Sequence, residues 1–304
     1  MRVNLNSTFN YQSTMRSDFL VCSMYTKNYT DKAMRLANSL QTLKIDFQLY
    51  EVPCVHQSIS PKGTSDLNYT KGNVILNLLA EHKIPILYID ADCEVLKPLN
   101  LFSKLIKQGY DFAIYNWLSE YENTAYGPTP IPYPSYDQMR YYSLCNKIDF
   151  KSDDQLICSG ASQFWGNTLA SKDFLEAWIK TISLNPLMPD DKSLDFTFNN
   201  KLSRSHKLLR PYWLEKKYAR YPIWIFDNPI INHPNFQTNN SELVSNEFNY
   251  TDGKKYIYDE KLKQKINPIE IPLGQLLDTK TGDLLIPAEM GFTKIGSINK
   301  KFYL

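Results

Sequence analysis

Asp90 and Asp92 close an almost wholly apolar run, Ile84-Pro85-Ile86-Leu87-Tyr88-Ile89. Two charges at the edge of a buried strand are costly without a counter-ion. In an open α/β sheet the carboxyl ends of the strands open onto the ligand crevice, so acids at such an end can act on a substrate. Alternation about Ala91 predicts that both carboxylates point to one side. Hard oxygen ligands at this spacing suit Mg²⁺ or Mn²⁺, which bridge protein carboxylates to substrate phosphates. The plainer alternative is a pair of acids that begins a turn or caps the next helix. Further along, Asp190 and Asp191 open a helical pattern, as caps, as substrate contacts, or as both. Lys71, read at a helix start, is unfavourable for the dipole there and so points to a facing anion, with ordinary surface charge as its rival reading. Gly160 lies in a strand, where the lack of a Cβ serves either close packing or the approach of a ligand to the backbone. His233 follows an apolar pair and precedes Pro234, so a hydrogen-bonded histidine at a strand end is one reading of it; His82 sits on a helix face, and His56 and His206 lie in polar surroundings without ligand spacing.

The elements that must position these residues follow from hydrophobic period. Residues 19–25 form an apolar run suited to a buried strand, and Thr30 begins a helix with Ala33, Leu36, Ala37, Leu40 and Leu43 on one face. Residues 47–52 alternate as a strand and residues 58–66 read as a loop. A second helix is predicted from Thr70 as its cap, with Ile75, Leu78, Leu79 and His82 in register. The strand ending in Asp90 comes next. This succession of strands and helices predicts an α/β domain with a largely parallel sheet. A short helix over 99–108, strands over 111–115 and 156–165, a helix carrying Phe174, Trp178 and Ile182, and short late strands at 223–226 and 230–231 complete it. Residues 120–142, rich in proline and tyrosine, carry no sustained period and read as a long irregular binding segment.

The chain of 304 residues has 34 basic and 32 acidic side chains, a net charge of +2, which gives no electrostatic case for nucleic acid or an anionic membrane. Its five scattered cysteines show no zinc spacing and favour a reducing, cytoplasmic setting. No run is long and apolar enough for a membrane span or a secretory signal. The sequons at Asn6, Asn28, Asn68, Asn239 and Asn249 are of the kind an Asn-, Ser- and Thr-rich chain produces by chance.

Lys71-Gly72 before a helix, then residues 86–92 followed by Glu94-Val95-Leu96-Lys97-Pro98-Leu99, resembles the donor-binding core of GT-A glycosyltransferases with a DxD motif, the nucleotide-diphospho-sugar transferase superfamily. Residues 157–161 resemble the strand whose small pair, Ser159 and Gly160, borders the donor sugar. Pro189-Asp190-Asp191 resembles the acidic motif near sugar and acceptor, and Ile230-Ile231-Asn232-His233 the late strand whose histidine completes the metal site. The likeness runs in matching order over residues 18–235.

The resemblance implies a GT-A fold, a Rossmann-like mixed but mainly parallel sheet flanked by helices. It implies a retaining transfer of sugar from a UDP- or GDP-sugar to a glycan, lipid or protein acceptor. Asp90, Asp92 and His233 would hold Mn²⁺ or Mg²⁺. Tyr25, Lys71, Asp90, Ala91, Asp92, Ser159, Gly160 and Asp190 would bind the nucleotide sugar, with Tyr25 beside the base or merely in the core, and Asp191 would be the catalytic or sugar-orienting acid. Residues 1–17 are then an extension and residues 236–304 an appendage. Two other readings stand beside it: a phosphohydrolase with Asp90 as nucleophile, and a binding protein on the same fold. Glu94, where a small or hydroxyl residue would be expected, counts against the hydrolase.

Overall fold

The computed structural model describes residues 6–11, 17–52, 65–116, 155–184, 190–219 and 228–233, with short C-terminal pieces between 258 and 297. The irregular segment 120–142, the strand at 223–226, Cys54, Cys145 and His56 lie outside the described residues.

Seven strands form the central sheet in the order β1-β3-β2-β4-β7-β6-β8. They are β1 (Asn6–Tyr11), β2 (Leu20–Tyr25), β3 (Phe47–Glu51), β4 (Ile86–Ile89), β6 (Phe112–Asn116), β7 (Cys158–Trp165) and β8 (Pro211–Trp213). The two-residue β5 (Glu94–Val95) and β9 (Ile231–Asn232) pair with each other away from it. Strand β2 is parallel to β3 and β4, and β6 is parallel to β8, while β7 runs antiparallel between β4 and β6. Five strands therefore share one direction and β1 and β7 oppose it, the mixed, mainly parallel α/β sheet expected. Strand β1, antiparallel to β3, arises inside the stretch read as an extension, and β8 was not foreseen either.

Helices cover both faces. On one, α1 (Thr30–Thr42) and α3 (Asn100–Lys107) pack over a core centred on Phe102, which touches Phe19, Phe164 and Tyr218. On the other, α2 (Ser65–His82), α4 (Leu169–Leu184) and α5 (Asp190–Asn199) cover Phe112 and Trp165, on which Phe174 and Trp178 of α4 pack. The two indoles stack with centroids 5.7 Å apart. Much of the aromatic content is thus core area, since each ring removes a large apolar surface from water. Gly72 permits the close meeting of α2 and α4: a Cβ there would lie 2.7 Å from Ile179 Cγ1.

One boundary differs from expectation. Helix α2 begins at Ser65, so residues 65–66 are helical instead of loop, and Thr70 is an interior residue, not a cap. Lys71 consequently sits well inside the helix, where the dipole argument does not apply. C-terminal β10 (Tyr258–Asp259) pairs with β11 (Gln264–Lys265), and β12 (Leu276–Leu277), β13 (Asp283–Ala288) and β14 (Gly291–Ser297) form a small antiparallel sheet.

Candidate active site

Asp90 follows the last residue of β4, and its N–H donates to the Ala161 carbonyl of β7 at 2.9 Å. The chain then turns: the Cys93 N–H donates to the Asp90 carbonyl at 3.0 Å. Strand alternation therefore does not govern this stretch, and the two acids acquire different partners. Asp90 Oδ1 lies 3.2 Å from the Lys71 ammonium, which is also 2.5 Å from Asp190 Oδ2. Asp92 Oδ1 lies 3.0 Å from His233 Nε2. The β5–β9 pair brings that histidine back, since the register Glu94↔Asn232 sets His233 beside the turn. Arg35 of α1 holds the turn from outside, donating from Nη2 to the Asp92 carbonyl at 2.9 Å, and Ser39 Oγ accepts the Val95 N–H at 3.1 Å.

Helix α5 is fastened to β7 by side chains that satisfy backbone groups. Asp195 accepts the Cys158 N–H at 2.7 Å, and the Asn199 amide bonds both the N–H and the carbonyl of Leu156 at 2.8 Å. Trp178 Nε1 donates to Ser193 Oγ at 2.8 Å. Asp190, the first residue of that helix, faces Lys71 through its carboxylate, while its carbonyl accepts from Trp178 Nε1 at 3.2 Å and from Ser193 Oγ at 2.8 Å. Between β6 and β7 the register slips: Ile114 pairs with Gln163, yet Tyr115 pairs with Ser159. Gly160 lies in that bulge, and a Cβ on it would stand 3.5 Å from Asp190 Oδ2 and 3.8 Å from the Asp191 Cβ. Bulges of this kind re-aim side chains beside sites.

The charges reinforce this division. Burial raises the Asp90 pKa, Lys71 opposes that rise, and Asp92 and Asp190 add to it. Burial would raise Asp92 too, but the His233 hydrogen bond and charge outweigh it and hold the carboxyl below its usual range. His233 rises correspondingly, because its bond to Asp92 and the charges of both aspartates overcome burial. Lys71, although burial disfavours its charge, is held well above the ordinary lysine value by Asp190 and Asp90, and Asp190 is lowered chiefly by Lys71 in spite of its own burial.

Asp92 and His233 at this turn offer a carboxylate oxygen and an imidazole nitrogen of the kind Mn²⁺ or Mg²⁺ takes, while Asp90, turned to Lys71, lies outside the group of ligand atoms that come within 4.8 Å of one another. Cys93 Sγ also lies within 4.8 Å of the Asp92 and His233 donor atoms. Its thiol is fully buried and pushed well up by that burial, which keeps it protonated and a poor ligand for a hard cation.

The structure gathers Lys71, Asp90, Ala91, Asp92, Gly160, Asp190 and His233 into one neighbourhood, with Ser159 and Asp191 adjoining Gly160. Tyr25 is different. Its ring is 2% exposed and belongs to the core beneath α1. Tyr29 is 40% exposed; burial, then Asp92 and Asp90, raise its hydroxyl pKa, and the Lys32 ammonium stands 4.0 Å over its ring. Sequence reasoning missed Tyr29, Lys32 and Arg35. Tyr29 immediately precedes α1 and Lys32 lies in its first turn, three residues on. His82 and His206 lie away from the acids, beside Glu81 and Phe198 respectively. A groove of about 580 Å³ between α1 and β5 is lined by Arg35, Ser39 and Glu94 but by neither acid of the turn.

No protein-family model matches the chain, and no curated protein matches it. Among solved structures it is similar to a glycosyltransferase involved in glycosylation of the major capsid of PBCV-1, at 11% identity and a TM-score of 0.45, covering 75% of this chain and 99% of that one. It is similar also to mouse xyloside xylosyltransferase 1, at 10% identity and a TM-score of 0.43 over 72% of this chain and 98% of that chain. The galactosyltransferase LgtC, solved with donor and acceptor sugar analogues, gives 9% identity and a TM-score of 0.41 over 70% of this chain and 86% of its own. No helix among the described residues is long and apolar enough to cross a membrane.

Proposed function

We propose that this chain is a metal-dependent GT-A glycosyltransferase that moves a sugar from a nucleotide-diphosphate donor, UDP- or GDP-linked, to a glycan, lipid or protein acceptor with retention of configuration. The observation that carries the reading is the Asp90–Asp92 turn at the carboxyl end of a central parallel strand, with His233 brought to 3.0 Å from Asp92 by a separate two-residue strand. Two carboxylates with an imidazole at a strand end form a site for a cation shared with phosphates.

A cation held by Asp90, Asp92 and His233 would stabilise the departing diphosphate as a Lewis acid. The protein's own groups then do the positioning. Arg35 and Ser39 fix the turn, so the carboxylates are in place before any ligand arrives, and preorganised groups need not reorder during reaction. Gly160 lets Asp190 and Asp191 pack close against the β7 backbone, where they would border the sugar. Asp191 is the acid assigned to orient the sugar or meet the acceptor hydroxyl. Tyr29, with its exposed ring near the acids, offers the face for a nucleotide base that Tyr25 cannot. Lys32 beside it adds a positive charge toward the diphosphate. Cys22, Cys93 and Cys158 are buried thiols, which supports a reducing, cytoplasmic location.

The test is a panel of nucleotide sugars with and without Mn²⁺, read as release of nucleoside diphosphate. Turnover of one donor that needs the cation and is abolished in a folded Asp92→Asn variant is expected. Inactivity on every donor, or phosphate release from simple phosphomonoesters, would overturn the assignment.

A further inference from the structure

Lys71 is 7% exposed, and its ammonium meets Asp90 Oδ1 at 3.2 Å, Asp190 Oδ2 at 2.5 Å and the Tyr88 ring at 4.5 Å. The two acids come from separate elements, the end of β4 and the start of α5, and the lysine from α2. Its anchorage is firm. The next residue, Gly72, is where α2 rests on Ile179 of α4, too close to admit a Cβ, so the helix carrying Lys71 is set by backbone packing. The lysine therefore fills the place of a cation against one carboxylate of the turn, while the other carboxylate is held by a histidine.

We propose that Lys71 is a built-in counter-cation that competes with the divalent metal for Asp90 and thereby limits the metal affinity of the site until a diphosphate arrives. This rests on the reading of Asp90 as a metal ligand. Two cations sharing one carboxylate in a partly desolvated site repel each other, and interior charge interactions are screened far less than exposed ones. The shorter contact with Asp190 keeps the ammonium nearby when a metal occupies Asp90. A nucleoside diphosphate brings the negative charge that relieves the conflict, so metal and donor bind with mutual reinforcement, as linkage requires. Without metal, the same lysine neutralises acids that would otherwise repel across the cleft.

The experiment is Mn²⁺ titration calorimetry of the full chain at neutral pH, alone and with saturating UDP or GDP. Wild type is expected to bind Mn²⁺ weakly alone and at least tenfold more tightly with the diphosphate. Lys71→Met should bind Mn²⁺ alone at least tenfold more tightly than wild type, with a smaller gain from the diphosphate, and Lys71→Arg should stay within threefold of wild type. Should Lys71→Met fail to fold by circular dichroism, Asp190→Asn and Asp191→Asn decide. They remove the same charge one residue apart, but only the first releases Lys71 wholly onto Asp90, so it should weaken Mn²⁺ binding at least threefold more than the second. Folded Lys71→Met with unchanged or weaker affinity, or equal effects of the two aspartate variants, would overturn the counter-cation while leaving the metal site standing. Absence of Mn²⁺ binding to wild type and Lys71→Met alike, with or without diphosphate, would overturn both.

Discussion

Asp90 and Asp92 are separated by one residue yet belong to opposite halves of the molecule. Asp90 is tied to the face built by α2, α4 and α5, through a buried lysine that also grips Asp190. Asp92 is tied to the face built by α1 and the β5–β9 pair, through a histidine and through Arg35 on its carbonyl. The first partner carries a fixed charge. The second can gain or lose its proton near neutral pH. The site thus straddles the seam between two cores, with a locked side and an adjustable side.

The contrast can be broken by removing each partner. Lys71→Met should have the largest effect on the metal-free protein, a loss of about 3–5 kcal/mol in urea unfolding, because it strands buried carboxylates. A loss below about 1 kcal/mol, the worth of an exposed ion pair, would mean that the lysine does not lock its side. His233→Ala should cost less, about 1.5–3 kcal/mol, the range for a hydrogen bond to a charged group. The pH profile sharpens the same distinction. His233 has a raised pKa, so its contribution is complete below the ordinary imidazole value and is lost as pH rises through the raised one. Asp92 is lowered, so its share is present above the ordinary carboxylate value and is lost as pH falls through the lowered one. Lys71, held well above its ordinary value, keeps its contribution throughout the neutral range. Metal-free wild type should therefore lose stability as pH rises above the ordinary imidazole value of about 6.5, and His233→Gln should lose much less over the same rise. An equal slope in both would place the titrating group elsewhere.

Gly72→Ala probes the locked side without touching a charge. Its Cβ would press on Ile179, and overpacking of this kind costs about 1–3 kcal/mol by chemical denaturation. Ser39→Ala probes the adjustable side in the same indirect way, leaving the Val95 N–H without its acceptor, and should lower stability by about 1 kcal/mol. If Ser39→Ala proved the more damaging of the two, the rigidity assigned to the α2 side would belong to the other.

The fold was largely legible because period is a local signal. The apolar runs of β2, β4 and β6 and the faces of α1 and α4 are written in neighbouring residues. Boundaries were less so: residues 65–70 look like loop and cap, yet they extend α2. Strand β1 escaped because a polar edge strand has no apolar run to mark it. At the site, residue types were readable but partnerships were not. Nothing near Lys71 announces that Asp190 will lie against it, and nothing near Asp92 announces Arg35, because these contacts exist only once β4, β7 and the helices have packed. The end of β2 looks open in sequence, so Tyr25 reads there either as beside a base or as core, whereas α1 folds over it, buries the ring and leaves Tyr29 outside.

Strand β1 has a consequence for handling the protein. It occupies the outer edge of β3, pairing from Asn6↔Glu51 to Tyr11↔Phe47. An uncovered strand edge is a template for pairing with other chains. Trimming the first sixteen residues to obtain a tidier catalytic fragment would strip that cover and offer β3 as a seed for aggregation, with every residue of the acid cluster still in place.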